Sequence, residues 1–155
     1  MPKYGVKSEA NLSTATVDLQ IIFNEVIKKF DHSILYGHRS PELQFELFKQ
    51  GRKQNSLGKW IVFDKKLVVT NCDGTVNQSR HNKYPSEAVD AVPYPINWQD
   101  KELLYYWGGY VKGIAERLKA EGRISHEITW GGNWDDDQDM HDQNLMDLVH
   151  FQIKL

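Results

Sequence analysis

The segment Asp147-Leu148-Val149-His150-Phe151 decides how the rest of this chain must fold. Because His150 lies close to the end of the sequence, partners for its imidazole must come from earlier segments. We predict that these partners are His81 and Asp90. Two histidines and a carboxylate are a ligand set that a catalytic zinc ion uses while one position stays open for water. Spacing alone leaves this hypothesis open, because six histidines and many aspartates allow chance trios.

Composition favours one domain spanning residues 1–155, with 40% hydrophobic and 26% charged residues. The net charge of -2 provides no global basic field, so no nucleic-acid partner is expected. Cys72 is the single cysteine, so no internal disulfide can form, and it is expected to be a packing residue. The sequence shows no signal peptide and no apolar run of about 20 residues, which predicts cytoplasmic synthesis without stable membrane insertion.

Hydrophobic periodicity predicts an α+β domain with a small, mainly antiparallel sheet and flanking helices. The predicted helices cover residues 13–30, 41–51 and 100–120. The predicted strands cover residues 33–38, 60–63, 67–70, 88–92, 128–130 and 150–154. The predicted loops cover residues 52–58, 71–87 and 131–147, and long loops in compact domains are commonly functional.

Two further residues are candidates for catalysis. Asp147 lies three residues before His150, where its carboxylate can take a proton from a metal-bound water and pass it to a leaving amine. On sequence alone, a role in capping the amides of a turn fits Asp147 equally well. Arg39 can stabilise an oxyanion or hold a substrate carboxylate, and the alternative is an exposed arginine at a strand end.

The acidic run between the predicted strands offers a second metal hypothesis. Asp135, Asp137 and Asp139 have the D-x-D-x-D spacing of the first half of a calcium loop, although the glycine and the distant glutamate of an EF-hand are missing. The alternative is a solvated acidic loop. The remaining histidines are rival zinc ligands without a companion motif, namely His32, His38, His126 and His141.

A set of motifs in a fixed order resembles a known family. The motifs are Gly37-x-Arg39-Ser40, Ser79-x-His81, Ala88-x-Asp90, Trp130-Gly131-Gly132-Asn133-Trp134 and Asp147-x-x-His150-Phe151. Together they resemble the M15 zinc peptidases, which include D-alanyl-D-alanine carboxypeptidases and L-alanyl-D-glutamate endopeptidases. The similarity extends over nearly the whole chain from about Leu12 and is greatest to the phage endolysin branch.

The resemblance implies both a site and a function. His81, Asp90 and His150 would bind Zn²⁺, Asp147 would be the catalytic base, and Arg39 would face the scissile carbonyl or a neighbouring carboxylate. The implied fold is the M15 (D-Ala-D-Ala peptidase/hedgehog-like) fold, without a separate cell-wall-binding domain. The implied activity is hydrolysis of the L-alanyl-D-glutamate bond in the peptidoglycan stem peptide by a monomeric endolysin. A holin-type protein would release it from the host cytoplasm to the cell wall in the periplasm.

The chain also departs from the family pattern. The interval from His81 to Asp90 is longer than in many members, Asn133 replaces an aspartate, and Gln152 stands where glutamate is common. Two alternatives stay open: a D-alanyl-D-alanine carboxypeptidase with the same zinc site, and a non-catalytic module that binds the cell wall or calcium.

Overall fold

Six short strands form two antiparallel sheets in a computed structural model that describes residues 1–155. In chain order the strands are β1 (His32–Tyr36), β2 (Arg52–Gln54), β3 (Trp60–Val62), β4 (Ala88–Pro93), β5 (Ile128–Trp130) and β6 (His150–Ile153). The main sheet has the order β1-β4-β6-β5, and β2 pairs only with β3. The last strand of the chain therefore lies in the middle of the main sheet, beside β4.

Four helices flank these sheets: α1 (Val6–Ser13), α2 (Val17–Val26), α3 (Pro41–Lys49) and α4 (Lys101–Ala120). Two of them begin where the sequence supplies a cap. The Ser40 side chain accepts a hydrogen bond from the Leu43 amide before α3, and the Asp100 side chain accepts one from the Leu103 amide before α4. No helix is long and apolar enough to cross a membrane.

The central strands separate an apolar face from a polar one, because successive side chains of a strand point to opposite faces. Phe151 is fully buried and packs edge-on against Phe23 of α2 and Trp107 of α4. Its neighbour His150 points to the other face of the sheet, towards Asp90. The core under α2 and α4 thus fixes β6 in place, and the opposite face is left for polar residues.

The α+β class and the mainly antiparallel sheet are confirmed, but three local predictions are wrong. The helix predicted over 13–30 is shorter: α2 begins only at Val17, after Ala15 forms a bridge with Ser86, and the preceding helix α1 was not predicted. The loop predicted over 52–58 begins with β2, which pairs with β3. Residues 67–70 form no strand: Leu67 ends the 3-10 turn Lys65–Leu67, and the Thr70 carbonyl accepts a hydrogen bond from the Arg52 side chain instead of from another strand.

Candidate metal centre and active site

The register of the two central strands brings the predicted ligands together. Asp90 of β4 lies directly opposite His150 of β6. His81 comes from a 3-10 turn (Arg80–Asn82) in the long loop before β4, and the Ser79 side chain caps this turn. The His81 carbonyl also accepts a hydrogen bond of 2.8 Å from the Arg39 amide, which ties the turn to the segment after β1.

The three side chains form a compact triangle below the protein surface. His81 Nε2 lies 3.0 Å from Asp90 Oδ1 and 3.2 Å from His150 Nδ1, and His150 Nδ1 lies 3.1 Å from Asp90 Oδ1. A tetrahedral zinc ion with bonds of about 2.0–2.2 Å holds ligand atoms roughly 3.3–3.6 Å apart. The triangle needs to widen by only a few tenths of an ångström to become one face of such a centre.

Each imidazole has an inner nitrogen that faces the triangle and an outer nitrogen that faces away from it. The hydrogen bonds of the outer nitrogens leave the inner nitrogens free to bind a metal. His81 Nδ1 lies 2.7 Å from the Gly37 carbonyl oxygen, and His150 Nε2 lies 3.0 Å from Gln152 Oε1. Because both partners are hydrogen-bond acceptors, these outer nitrogens carry the protons. The two inner nitrogens of the neutral rings then direct lone pairs at the same point as the Asp90 carboxylate, an arrangement that fits a bound cation.

Electrostatics in the triangle also fit a cation site. Burial would raise the pKa of Asp90, but His81, His150 and Arg39 together hold that pKa well below its usual value. Burial lowers the pKa of His81. Burial would also lower the pKa of His150, yet its hydrogen bond to Asp90 and the charge of Asp90 raise it. Without a metal, a proton on His150 can supply the positive charge, and metal binding would displace it.

Glycine allows the segment after β1 to reach His81. A Cβ atom at Gly37 would overlap the Asn11 carbonyl and the Thr14 hydroxyl, so only glycine lets its backbone lie this close to α1. The Thr14 hydroxyl accepts a hydrogen bond from the His38 amide at 2.8 Å, which fixes the same turn. The Gly37 carbonyl oxygen is thereby held where His81 can donate to it.

Arg39 is buried beside the triangle rather than exposed. Its guanidinium forms an ion pair with the second oxygen of Asp90 and lies over the Tyr36 ring, 4.3 Å from the ring centroid. Nη1 also lies 3.4 Å from Gln44 Oε1, and the buried Nε atom has no hydrogen-bond partner. Arg39 therefore orients Asp90 through the carboxylate oxygen that does not face the two imidazoles.

Asp147 lies at the edge of the same site. Its amide donates to the Gly131 carbonyl at 2.9 Å, and a Cβ atom at Gly131 would overlap the Asp147 backbone. Burial raises the pKa of Asp147 to about 6, and the charge of Asp90 adds to the shift. A hydrogen bond from the Val149 amide opposes it, so the capping role and the catalytic role are compatible.

Trp134 joins the acidic loop to the metal site. Its ring lies against His150, with 5.3 Å between ring centroids, and its Nε1 donates to the Leu145 carbonyl at 2.6 Å. The Trp134 amide donates to Gln143 Oε1 at 3.0 Å. The loop that ends at Asp147 is thus attached to the indole that covers one ligand.

A cleft of about 970 Å³ exposes the site to solvent. Arg39, the three triangle residues and Asp147 all line it. Its walls also include aromatic and aliphatic side chains: Tyr36, Leu47, Val69, Trp98, Trp134 and Met146. A cleft with apolar walls and a few converging polar groups is typical of a site that binds an extended small substrate.

The other proposed ligands lie elsewhere. His32 is buried between Tyr4 and Phe30, His126 bonds to Asp18, His38 bonds to the Lys83 carbonyl, and His141 is exposed. In the acidic loop, the carboxylates that converge belong to a different trio from the predicted one. Asp135 and Asp137 meet Asp142 on the surface, and Asp139 instead accepts a hydrogen bond from the His141 amide.

Sequence reasoning did not assign roles to several residues that shape the site. Gln152, which departs from the family pattern, orients His150 through its side-chain oxygen. Its place two residues after His150 on the strand was the available signal, because alternate residues share a face. Tyr36 and the fully buried Gln44 lie only three and five residues from Arg39 and both contact its guanidinium, but neither residue belongs to a recognisable spacing pattern.

Comparisons with known proteins identify the fold of the chain. No protein-family model matches the sequence, and no curated protein matches it either. Among solved structures, the chain is similar to the Serratia marcescens L-Ala D-Glu endopeptidase ChiX. The TM-score is 0.58 at 21% sequence identity, and the match covers 97% of this chain and 89% of that one. The fold expected from the motif resemblance is therefore confirmed, and the buried His-Asp-His cluster lies within it.

The triangle makes a direct prediction for metal binding. Zinc added to the metal-free protein should bind in a one-to-one ratio, and the variants His81→Ala and His150→Ala should each lose this binding. The loss should exceed the 10–100-fold reduction typical of removing a ligand's hydrogen-bond partner. Isothermal titration calorimetry measures it, with His126→Ala as the control because His126 lies outside the cluster. Unchanged zinc affinity in either triangle variant would contradict the assignment.

The environment of Asp147 predicts a dependence of stability on pH. Its folded pKa of about 6 exceeds the usual value of 3.8. Between these values the unfolded chain loses a proton that the folded protein keeps, so folded stability falls as pH rises. The free energy of unfolding of the metal-free protein, measured relative to that of Asp147→Asn, should fall by up to about 3 kcal/mol between pH 4 and pH 6. It should change little above pH 6. Urea unfolding at each pH measures this difference, and a difference that does not vary with pH would refute the prediction.

Proposed function

We propose that the chain is a zinc-dependent endopeptidase that hydrolyses the L-alanyl-D-glutamate bond of the peptidoglycan stem peptide. The observation that carries the proposal is the buried His81, Asp90 and His150 triangle at the bottom of an open cleft. The fold shared with an L-Ala D-Glu endopeptidase and the motif resemblance support the choice of reaction and substrate. A peptidase of this type needs one metal site, one base and room for a peptide.

His81, Asp90 and His150 would hold the zinc ion, since their donor atoms converge and their outer nitrogens are already hydrogen-bonded. When bound, zinc supplies Lewis acidity, which polarises a carbonyl and lowers the pKa of a bound water to about 7. The protein's own contribution is to fix the ligands. Gly37 and Gln152 set the two imidazole tautomers, and Arg39 holds the free oxygen of Asp90.

Asp147 is the base in this proposal. Its carboxylate accepts the proton of the attacking water and returns it to the amine that leaves when the peptide bond breaks. General acid–base catalysis is most effective when the pKa of the group lies near the working pH, and burial brings the pKa of Asp147 to about 6. Its backbone bond to Gly131 keeps the group at the edge of the cleft.

Arg39 has two tasks in the proposal. Its ion pair orients Asp90, and Arg39 lies in the lining of the cleft, where its guanidinium would face a carbonyl or carboxylate of the substrate. The stem peptide offers such acceptors on both sides of the bond to D-glutamate. Trp134 covers His150 and keeps bulk water from one side of the ligand.

The reaction products test both the activity and the bond. Zinc-loaded protein incubated with purified peptidoglycan should release stem peptides that begin at D-glutamate, as read by mass spectrometry. Asp147→Asn should keep one zinc ion per chain while turnover falls by about 10²–10⁴-fold. His150→Ala, which should not bind zinc, is the negative control and should release no product. Release of free D-alanine would establish the carboxypeptidase alternative, and no product from folded, zinc-loaded protein would favour a binding module.

The motif resemblance to phage-type members supports a proposal about the biological setting. The enzyme would be made in the host cytoplasm and act as an endolysin on the wall in the periplasm once a holin-type protein has opened the membrane. Bacteria that express the chain alone should keep their optical density, and co-expression of a membrane-permeabilising protein should cause lysis. His150→Ala should abolish that lysis. Rapid lysis by the chain alone would rule out dependence on such a protein.

A further inference from the structure

A strongly basic hairpin projects from the side of the cleft. The basic hairpin comprises residues 52–67, which include β2, β3 and the 3-10 turn after them. It carries one acidic residue, Asp64, and five basic ones, although the whole chain has a net charge of -2: Arg52, Lys53, Lys59, Lys65 and Lys66. Lysine ion pairs in this protein use Lys28, Lys49, Lys112 and Lys154, so the four hairpin lysines are exposed without a carboxylate partner.

The same hairpin exposes large apolar side chains. Leu57 at the turn is 86% exposed and Phe63 is 57% exposed. Ile61 and Leu67 are exposed as well. Single exposed apolar residues are ordinary, but several in 16 consecutive positions together with unpaired lysines mark an interaction surface.

The two faces of the hairpin have different surroundings. On the inner face, the Trp60 ring meets Phe45 of α3 edge-on at 5.8 Å, and the Arg52 guanidinium lies 4.2 Å from the centre of the Phe48 ring. On the outer face, Lys53 is paired across the strands with Ile61. Lys53 Nζ also lies 5.9 Å from the centre of the Phe63 ring. Helix α3 thus supports the hairpin from within, and the outer face combines cations with apolar groups.

We propose that the outer face of the basic hairpin binds the surface of a membrane that contains anionic phospholipid. Lysines near such a surface gain from the negative lipid phosphates, and apolar side chains gain from the headgroup and acyl boundary. A soluble polyanion would match only the lysines and would leave Leu57, Ile61 and Phe63 in water. The lipid surface therefore satisfies both chemical features, through peripheral contact rather than a membrane-spanning segment.

The basic hairpin is adjacent to the cleft in sequence. Val68, Val69 and Thr70 directly follow the hairpin and line the cleft. Binding by the hairpin would hold the cleft opening close to the membrane surface. None of Lys53, Ile61 and Phe63 lines the cleft, so membrane binding and hydrolysis can be tested separately.

The test uses full-length protein in flotation with vesicles of phosphatidylcholine alone or with about one-third phosphatidylglycerol. The protein should bind the anionic vesicles, and binding should weaken as salt screens the lysines. Lys53→Gln with Lys59→Gln should reduce the partition coefficient about 25-fold, since each lysine contributes about fivefold. Ile61→Thr with Phe63→Thr should reduce it more than tenfold. Both variants should hydrolyse peptidoglycan like the unaltered protein.

Matched variants elsewhere on the surface provide the controls. Lys29→Gln with Lys101→Gln removes the same charge, and Val6→Ser with Val17→Ser removes exposed apolar groups; both should bind vesicles normally. Thermal midpoints verify that every variant is folded. Absence of vesicle binding overturns the proposal, as does equal loss in variants and controls. A third outcome is that the protein does not bind vesicles but binds dextran sulfate, and that Ile61→Thr with Phe63→Thr does not change this binding. This result would assign the hairpin to a soluble polyanion instead.

Discussion

The antiparallel pairing of Asp90 with His150 is the constraint on which the site depends. It joins a strand in the middle of the sequence to one at its end, and the third residue, His81, is added by a capped turn that precedes β4. A shift of one residue in this register would turn His150 into the core and Phe151 into the cleft. Phe151 packs between Phe23 and Trp107, so the core enforces the register that brings Asp90 and His150 together.

A buried cluster of two imidazoles, a carboxylate and a guanidinium is costly to desolvate, and it persists only if its members satisfy one another. Here nearly every polar atom has a partner. Asp90 accepts from Arg39 on one oxygen and faces both imidazoles with the other. The outer nitrogens donate to Gly37 and Gln152. The remaining lone pairs, on His81 Nε2, His150 Nδ1 and Asp90 Oδ1, converge on one point, so the local electrostatics favour a cation there.

The sequence predicted the parts of the structure that local patterns encode. Alternation and periodicity located α4 and the strands around Asp90 and His150, and the order of the motifs indicated the three residues that the fold brings into one cluster. The failures came from tertiary contacts. Residues 67–70 have the composition of a strand, but Leu67 belongs to a 3-10 turn and the Arg52 side chain donates to the backbone carbonyl of Thr70. The pairing of Arg39 with Asp90 joins positions 51 residues apart, and spacing carries no information about it.

Two aspartates in one cleft show how the environment separates their chemical roles. Asp90 is surrounded by His81, His150 and Arg39, and these positive or hydrogen-bonding neighbours lower its pKa despite complete burial. Asp147 has no comparable partner, so burial and the charge of Asp90 raise its pKa to about 6. A carboxylate that stays ionised suits a metal ligand, whereas one that exchanges protons near neutral pH suits a base. This division follows from the surroundings of the two residues, and it supports the roles that the motif resemblance implied independently.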